Sequence, residues 1–371
     1  MSRRVLIIPT GGLRREGITS SILTMVRHIP LDGLELHIAA VYNNEPDVLD
    51  EFRSLGCRVV ETPDRRTDTA SYARYLLSLI RSECYDVVHV HGSSSVMGIE
   101  LRIAQLAGVK LRIAHSRNTR TDDPKRDRML RPLFLRSWTK ALACGEDAGK
   151  WLFGDAPFEV VHNGVETGRF SFNPVLRREM RKRLGIGASL AVGFVGNINY
   201  VKNQRFLLEA FSEVLRRGVD ARLFIVGDGP DREDIEAVSS EERFGGRITI
   251  TGRVSNVSDI VQAMDVMALP SLFEGLPNVV LEWQASGVPC VVSDAVTREC
   301  AVTCLVSFLS LDAGAAAWAD ALLEAVTDDS ASEKLRLQSS VSACSALASA
   351  GFDADAMAHR MREIYLTRAS R

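Results

Sequence analysis

PSLFEGLPNVVLEWQASGVPCVVSD, residues 270 to 294, is the stretch whose reading decides the fold. Upstream of it, Asp265-Val266-Met267-Ala268-Leu269 reads as a strand, and Ser271 to Leu276 as a short loop carrying one carboxylate, Glu274. Pro277 suits a first helical position, because its fixed φ and missing N–H cost nothing there. Asn278 to Ser286 then reads as a helix, stopped by Gly287-Val288-Pro289 ahead of a strand at Cys290 to Ser293. This is one βαβ unit, and a helix start behind a glycine-containing loop offers free backbone N–H groups to an anion such as phosphate.

Two acids flank that helix start. Glu282 lies inside the helix, roughly 6 to 12 Å beyond Glu274 at about 1.5 Å of rise per residue. A carboxylate paired with vicinal hydroxyls makes short charge-assisted hydrogen bonds, so the spacing suits two sugars joined by a diphosphate. Val279, Val280, Leu281, Trp283 and Ala285 make the helix apolar nearly all round, which leaves Glu282 in need of a partner.

Working outward, the N-terminal half alternates strand and helix. Strands are expected at Arg4 to Pro9, Leu34 to Val41, Cys57 to Glu61, Tyr85 to Val90, Lys110 to His115 and Lys140 to Ala143, with a helix from Ile18 to His28. Such alternation implies an α/β fold with mostly parallel, doubly wound sheets, whose ligands sit beyond the C-terminal strand ends. Gly11-Gly12 follows the first strand, where missing side chains let backbone approach a ligand. His89 and His91 end the fourth strand on one side of the sheet, and His115 ends the fifth. His89 reads as an internally hydrogen-bonded core histidine, and the lack of nearby carboxylates argues against a metal held by the three. Arg117 to Lys140 carries eight basic residues against three acidic, interleaved with Leu130, Leu133, Phe134, Leu135 and Trp138. It reads either as a basic amphipathic segment that rests on anionic lipid or as a solvated helix with an apolar inner face.

The second half repeats the pattern. Asn163-Gly164 is a turn signal, Phe170 to Leu184 reads as a basic helix capped by Asn173 with Pro174 first, and strands follow at Ala191 to Val195, Leu223 to Val226 and Ile248 to Arg253. Lys202 stands at a helix start, where a cation is unfavourable unless an anion compensates. Phe352 to Tyr365 is expected to cross back to the first half.

At 371 residues the chain suggests two domains, and its net charge of −2 gives no general pull toward nucleic acid. Seven cysteines without a C-x-x-C fit free thiols, and Cys300 and Cys304 lack the further ligands of a metal site. No apolar run is long enough for a membrane span or a signal peptide, so a cytoplasmic protein is expected.

The E-x7-E pattern Glu274 to Glu282, within SLFEGLPNVVLEWQASGVPCVVSD, resembles the signature of the retaining glycosyltransferases of family four, which have the GT-B fold of two Rossmann-like domains around a cleft. The resemblance implies domains at 1–168 and 169–350, with 351–371 returning to the first. It implies a hexosyltransferase that moves a sugar from a nucleotide-sugar, UDP-linked by expectation, to a glycan or lipid-linked acceptor without a metal or other cofactor. Glu274, His115 and Lys202 become the catalytic candidates. Glu282 is implied to hold the ribose, and Gly12, Asn197, Arg253, Gly275, Leu276, Asn278 and Val279 to line the nucleotide-sugar site. Asn197 replaces the arginine of the family's G-R-L-x-x-x-K pattern, His162 and Glu166 depart from its I-P-N-G-V-D segment, and Lys202 matches. AHSRNT, ACGEDAGKWLFG and FNPVLRREMRKRLGI resemble the exopolysaccharide and capsule branch, and on the lipid-resting reading of Arg117 to Lys140 that segment makes peripheral contact with the inner face of the cytoplasmic membrane. A sugar-nucleotide epimerase of the same fold and a non-catalytic sugar-nucleotide-binding subunit are the alternatives.

Overall fold

The computed structural model describes residues 2–121, 123–326 and 333–367. Its chain divides into two compact units, one made of Met1–Gly164 with Ala354–Arg371, the other of Val165–Asp353.

The first unit is built on seven parallel strands: β1 (Arg3–Pro9), β2 (Leu34–Ala40), β3 (Arg58–Glu61), β4 (Val87–Gly92), β5 (Leu111–Ser116), β6 (Lys140–Ala143) and β7 (Glu159–Val160). Their order is β3-β2-β1-β4-β5-β6-β7. The apolar run of β1 is explained by burial on both faces. Val5 and Ile7 join the core under the helices Gly17–His28 and Ala354–Leu366, while Leu6 and Ile8 join the opposite core with Tyr72, Leu76 and Leu101. Residues of both cores reach zero exposure, so each single methylene matters to packing.

The second unit has six parallel strands: β8 (Leu190–Val195), β9 (Ala221–Val226), β10 (Ile248–Gly252), β11 (Val266–Leu269), β12 (Cys290–Ser293) and β13 (Val306–Leu309), ordered β10-β9-β8-β11-β12-β13. The chain therefore switches sides between β8 and β11, and in open parallel sheets ligands bind at such a point. Buried arginines staple its helices. Arg336 donates to the carbonyls of Ser286, Met264 and Val261, and Arg177 and Arg181 both bind Asp265, whose carboxyl burial acts to raise but whose two guanidinium partners hold low.

Several expected boundaries are corrected. Phe170 to Leu184 is not one helix: Thr167–Phe170 is a single turn, and the helix proper is Pro174–Arg183, with the Asn173 side chain accepting from the N–H of Val175 and Leu176. The proline fixes the helix start, and the preceding residues extend as residues before proline do. Pro277 is the capping residue outside its helix, with φ −75° and ψ 102°, so the helix begins at Asn278. β10 stops at Gly252, which has φ +68°, one residue before Arg253. No helix among the described residues is long and apolar enough to cross a membrane.

Candidate functional site

In the second unit, the loops after the neighbouring strands β8 and β11 converge. Beyond β8 the chain turns at Gly196 and enters a short turn Tyr200–Lys202, where the Asn199 side chain accepts from the Lys202 N–H at 3.1 Å. Asn203, in the left-handed conformation at φ 55°, then redirects the chain into the helix Gln204–Arg216. Gly227 and Gly229, after β9, let that turn pack directly on the β8 loop. A Cβ at Gly227 meets the Gly196 carbonyl oxygen at 2.0 Å, and one at Gly229 meets that of Ile198 at 2.1 Å.

The loop after β11 is tied to this turn by the Leu272 N–H, which donates to the Val201 carbonyl at 2.8 Å. Lys202 Nζ lies 2.5 Å from Glu274 Oε1, which also accepts from Ser271 Oγ at 3.0 Å. The anion required beside Lys202 is thus supplied by the chain itself. Both side chains are largely shielded, at 17% and 16% exposure, so the pair is worth more than a surface ion pair.

Gly275 and Leu276 are buried and lead to Pro277, which offers no side-chain acceptor to the helix Asn278–Ala285. Asn278 and Val279 are half-buried in the first turn, so this end presents N–H groups and positive dipole beside Lys202. One turn further, Glu282 is half-buried, and its carboxylate makes no hydrogen bond or ion pair with any described residue. Burial pushes its carboxyl up to about 7, against the pull of Arg169 and with a further push from Glu166. Arg169 does not neutralise it, because that guanidinium pairs with Glu166 and donates to the Ser255 carbonyl. Among the described residues, no side chain neutralises Glu282.

Asn197 is half-buried in the β8 loop, with its carbonyl accepting from Gln204 Nε2 at 2.7 Å. Arg253 is exposed, one residue past β10.

In the first unit, Gly12 is required by packing: a Cβ there falls 2.5 Å from the carbonyl oxygens of both Tyr42 and Asn43. Gly11 has open space instead. His89, His91 and His115 are all buried at the ends of β4 and β5, with the His89 and His91 ring centroids 3.9 Å apart, as same-face alternation requires. His89 is satisfied on both nitrogens, by the Tyr365 hydroxyl at 2.7 Å and His115 Nδ1 at 3.1 Å. Nε2 of His91 and Nε2 of His115 are buried without a hydrogen-bond partner among the described residues.

Ligating atoms of the three rings lie within 4.8 Å of one another, close enough for an ion despite the absence of carboxylates. The electrostatics oppose one. Arg117 directs two N–H groups at His91 Nδ1, at 2.9 and 3.0 Å, and a divalent cation beside that guanidinium is repelled. Burial holds all three imidazoles well below their ordinary range, followed by Arg117 for His89 and His115 and by His89 and then Arg117 for His91, so they are neutral at pH 7.

Arg117 is the residue that sequence reasoning misplaced. Counted with the basic run that follows it, it instead turns inward, where its guanidinium also donates to Ser21 Oγ and Asn163 Oδ1, and burial lowers its pKa to about 10. Tyr365, from the last helix, was missed as well; no local signal marks a tyrosine that reaches a histidine 276 residues away. Asn163 had a signal, the turn segment around it.

Comparison with known proteins agrees with this architecture. The model of the Glycosyltransferase Family 4 matches residues 15–169, and that of the glycosyl transferases of group 1 matches residues 189–328. The chain is 32% identical to the glycosyltransferase-family protein EpsF of Bacillus subtilis over 87% of its own length and 88% of that protein. It is 30% identical, over 61% of this chain and 62% of the other, to the UDP-Gal:alpha-D-GlcNAc-diphosphoundecaprenol alpha-1,3-galactosyltransferase of Escherichia coli. The crystal structure of Anabaena HepE in complex with UDP-glucose superposes with a TM-score of 0.79 at 14% identity, covering 97% and 98% of the two chains, and shows the same fold. With a parallel sheet in each of its two units and these matches over most of its length, the chain belongs to the group 1 glycosyl transferases of family 4 and is a glycosyltransferase of the GT-B fold.

Proposed function

We propose that this protein transfers a sugar from a UDP-sugar, with retention of anomeric configuration and without a metal, to a sugar carried on a lipid-linked diphosphate during cell-surface polysaccharide synthesis. The single observation that carries the reading is the Lys202–Glu274 pair beside an uncapped helix start, one turn before an unpartnered, half-buried Glu282. Glu282 accepts from the ribose hydroxyls, Glu274 from the transferred sugar, and Lys202 with the N–H groups at Asn278 and Val279 holds the diphosphate. Gly275 and Leu276 line the loop between them, and Asn197 faces the same phosphates without the charge of an arginine.

As the bond from the anomeric carbon to the diphosphate oxygen breaks, negative charge grows on that oxygen. Lys202 and the helix start are placed to stabilise it, supplying the positive charge that a divalent cation gives elsewhere. The acceptor hydroxyl attacks on the face the diphosphate leaves, and its proton passes to the departing phosphate oxygen. The first unit takes the acceptor, with His115 Nε2 and the backbone at Gly11-Gly12 among its contacts. The acceptor class is supported by the likeness to the diphosphoundecaprenol-dependent galactosyltransferase, and the donor by that enzyme together with HepE.

The experiment is a panel of UDP-sugars incubated with the protein in EDTA, reading UDP release and the anomeric configuration of the product by NMR. Retained product from wild type, lost in Glu274→Gln, is expected. Inverted product, or no UDP release from any donor, overturns the reading.

A further inference from the structure

The helix Pro124–Leu135 and the loops beside it form an open pocket of about 770 Å³ in the first unit, lined by Arg120, Pro124, Asp127, Arg128, Arg131 and Trp151, among others. We infer that this pocket binds the diphosphate of the lipid-linked acceptor, an inference that rests on the acceptor class proposed above.

Position is the first support. Arg120 lies in the loop after β5, and Trp151 in the helix Glu146–Phe153 that follows β6. Asp127 is tied to the loop after β4, because its Oδ1 accepts from the Ser95 N–H at 2.6 Å. The pocket thus lies between the helices Pro124–Leu135 and Glu146–Phe153, with the loop that leaves the C-terminal end of β5 at its side, next to the edge at which a doubly wound sheet binds ligands.

Charge is the second. Three arginines face one aspartate, and that aspartate already accepts a backbone N–H. The guanidinium groups of Arg128 and Arg131 make no hydrogen bond or ion pair with any described residue, whereas many other described arginines are ion-paired, among them Arg15, Arg177 and Arg243. Guanidinium forks match phosphate oxygens two at a time, and a diphosphate diester offers two charged phosphoryl groups to adjacent forks.

Apolar surface is the third. Trp151 and the rings of Pro124 and Pro132 give the pocket an apolar wall. A free phosphate has no use for that wall, whereas the first isoprene units of a polyprenyl diphosphate do.

The test titrates full-length protein with geranyl diphosphate in the presence of saturating UDP, so that the donor site is filled, and reads binding by calorimetry. Wild type binds geranyl diphosphate and not geraniol. Arg128→Gln with Arg131→Gln weakens binding by ~10- to 100-fold, the loss expected for hydrogen bonds to a charged group. Lys125→Gln with Arg136→Gln, on the same segment but outside the pocket, leaves it unchanged. UDP raises the melting temperature of the double variant as it does that of wild type, which shows that the variant is folded. Equal geranyl diphosphate affinity in wild type and the Arg128/Arg131 variant overturns the inference. So does binding to phosphatidylglycerol vesicles that depends on these arginines while geranyl diphosphate fails to bind, since the occupant is then a membrane headgroup. A protein that shows no response to UDP sinks the donor reading instead, and the geranyl diphosphate titration still decides the pocket.

Discussion

Glu282→Gln is expected to make the ligand-free protein more stable and less able to bind nucleotide. The folded protein holds this carboxyl up at about 7, against 4.5 for the exposed group. Between those values the unfolded chain releases the proton while the folded chain keeps it. Stability therefore falls as pH rises through this window and is lowest above pH 7. A shift of this size corresponds to roughly 3 kcal/mol, taking 1.36 kcal/mol per pKa unit. Glutamine carries no charge at any pH, so the variant escapes the loss; for a unit the size of Val165–Asp353 the gain at pH 8 amounts to roughly 6 to 12 °C in Tm. Near pH 4.5 the two proteins melt together. Because a ribose is held by the ionised form, UDP affinity of wild type is expected to drop up to about tenfold per pH unit below 7, and that of the variant to stay low and flat. The assay is differential scanning fluorimetry from pH 4.5 to 8.5, with and without UDP. If Glu282→Gln melts at or below wild type at pH 8 without ligand, or if UDP stabilises both alike, the carboxylate is not a poised ligand group and the reasoning is refuted.

Lys202→Ala is expected to reduce transfer by ~10²- to 10³-fold, the range for removing one preorganised charge-stabilising group, with acceptor KM little changed in steady-state assays. Tyr365→Phe removes the hydroxyl that bonds His89 Nδ1, and about 1 kcal/mol of stability goes with it. Nitrogen-15 NMR of the histidine rings should show altered His89 and His115 tautomers; unchanged spectra contradict a coupled pair. Gly227→Ala, at φ +146° and with no room beside the Gly196 carbonyl, should unfold the second unit at a clearly lower urea concentration and abolish UDP binding. Gly11→Ala meets nothing within 4 Å and should melt as wild type, whereas Gly12→Ala lowers Tm because its Cβ meets two carbonyl oxygens.

Much of this protein was determined locally. Strand period and helix period alternate along the chain because each βαβ unit buries its own apolar surface, so the fold class follows from runs such as Val5 to Ile8 and from the punctuation at Gly287 and Pro289. Asn173 and Pro174 place a helix start by geometry internal to the chain, as the structure has it. The tertiary structure decided which distant groups meet. The pairing of Lys202 with Glu274 follows from β8 lying next to β11, a matter of strand order that no local pattern encodes. Arg117 reads as one more charge of a basic run, yet the packing of the helix Gly17–His28 and of Asn163 around it gives its guanidinium buried acceptors and draws it inward. Glu282 was visible as an acid in an apolar helix. That no described side chain comes to neutralise it depends on Arg169 being taken by Glu166 and Ser255, a competition settled only once the chain has closed around it.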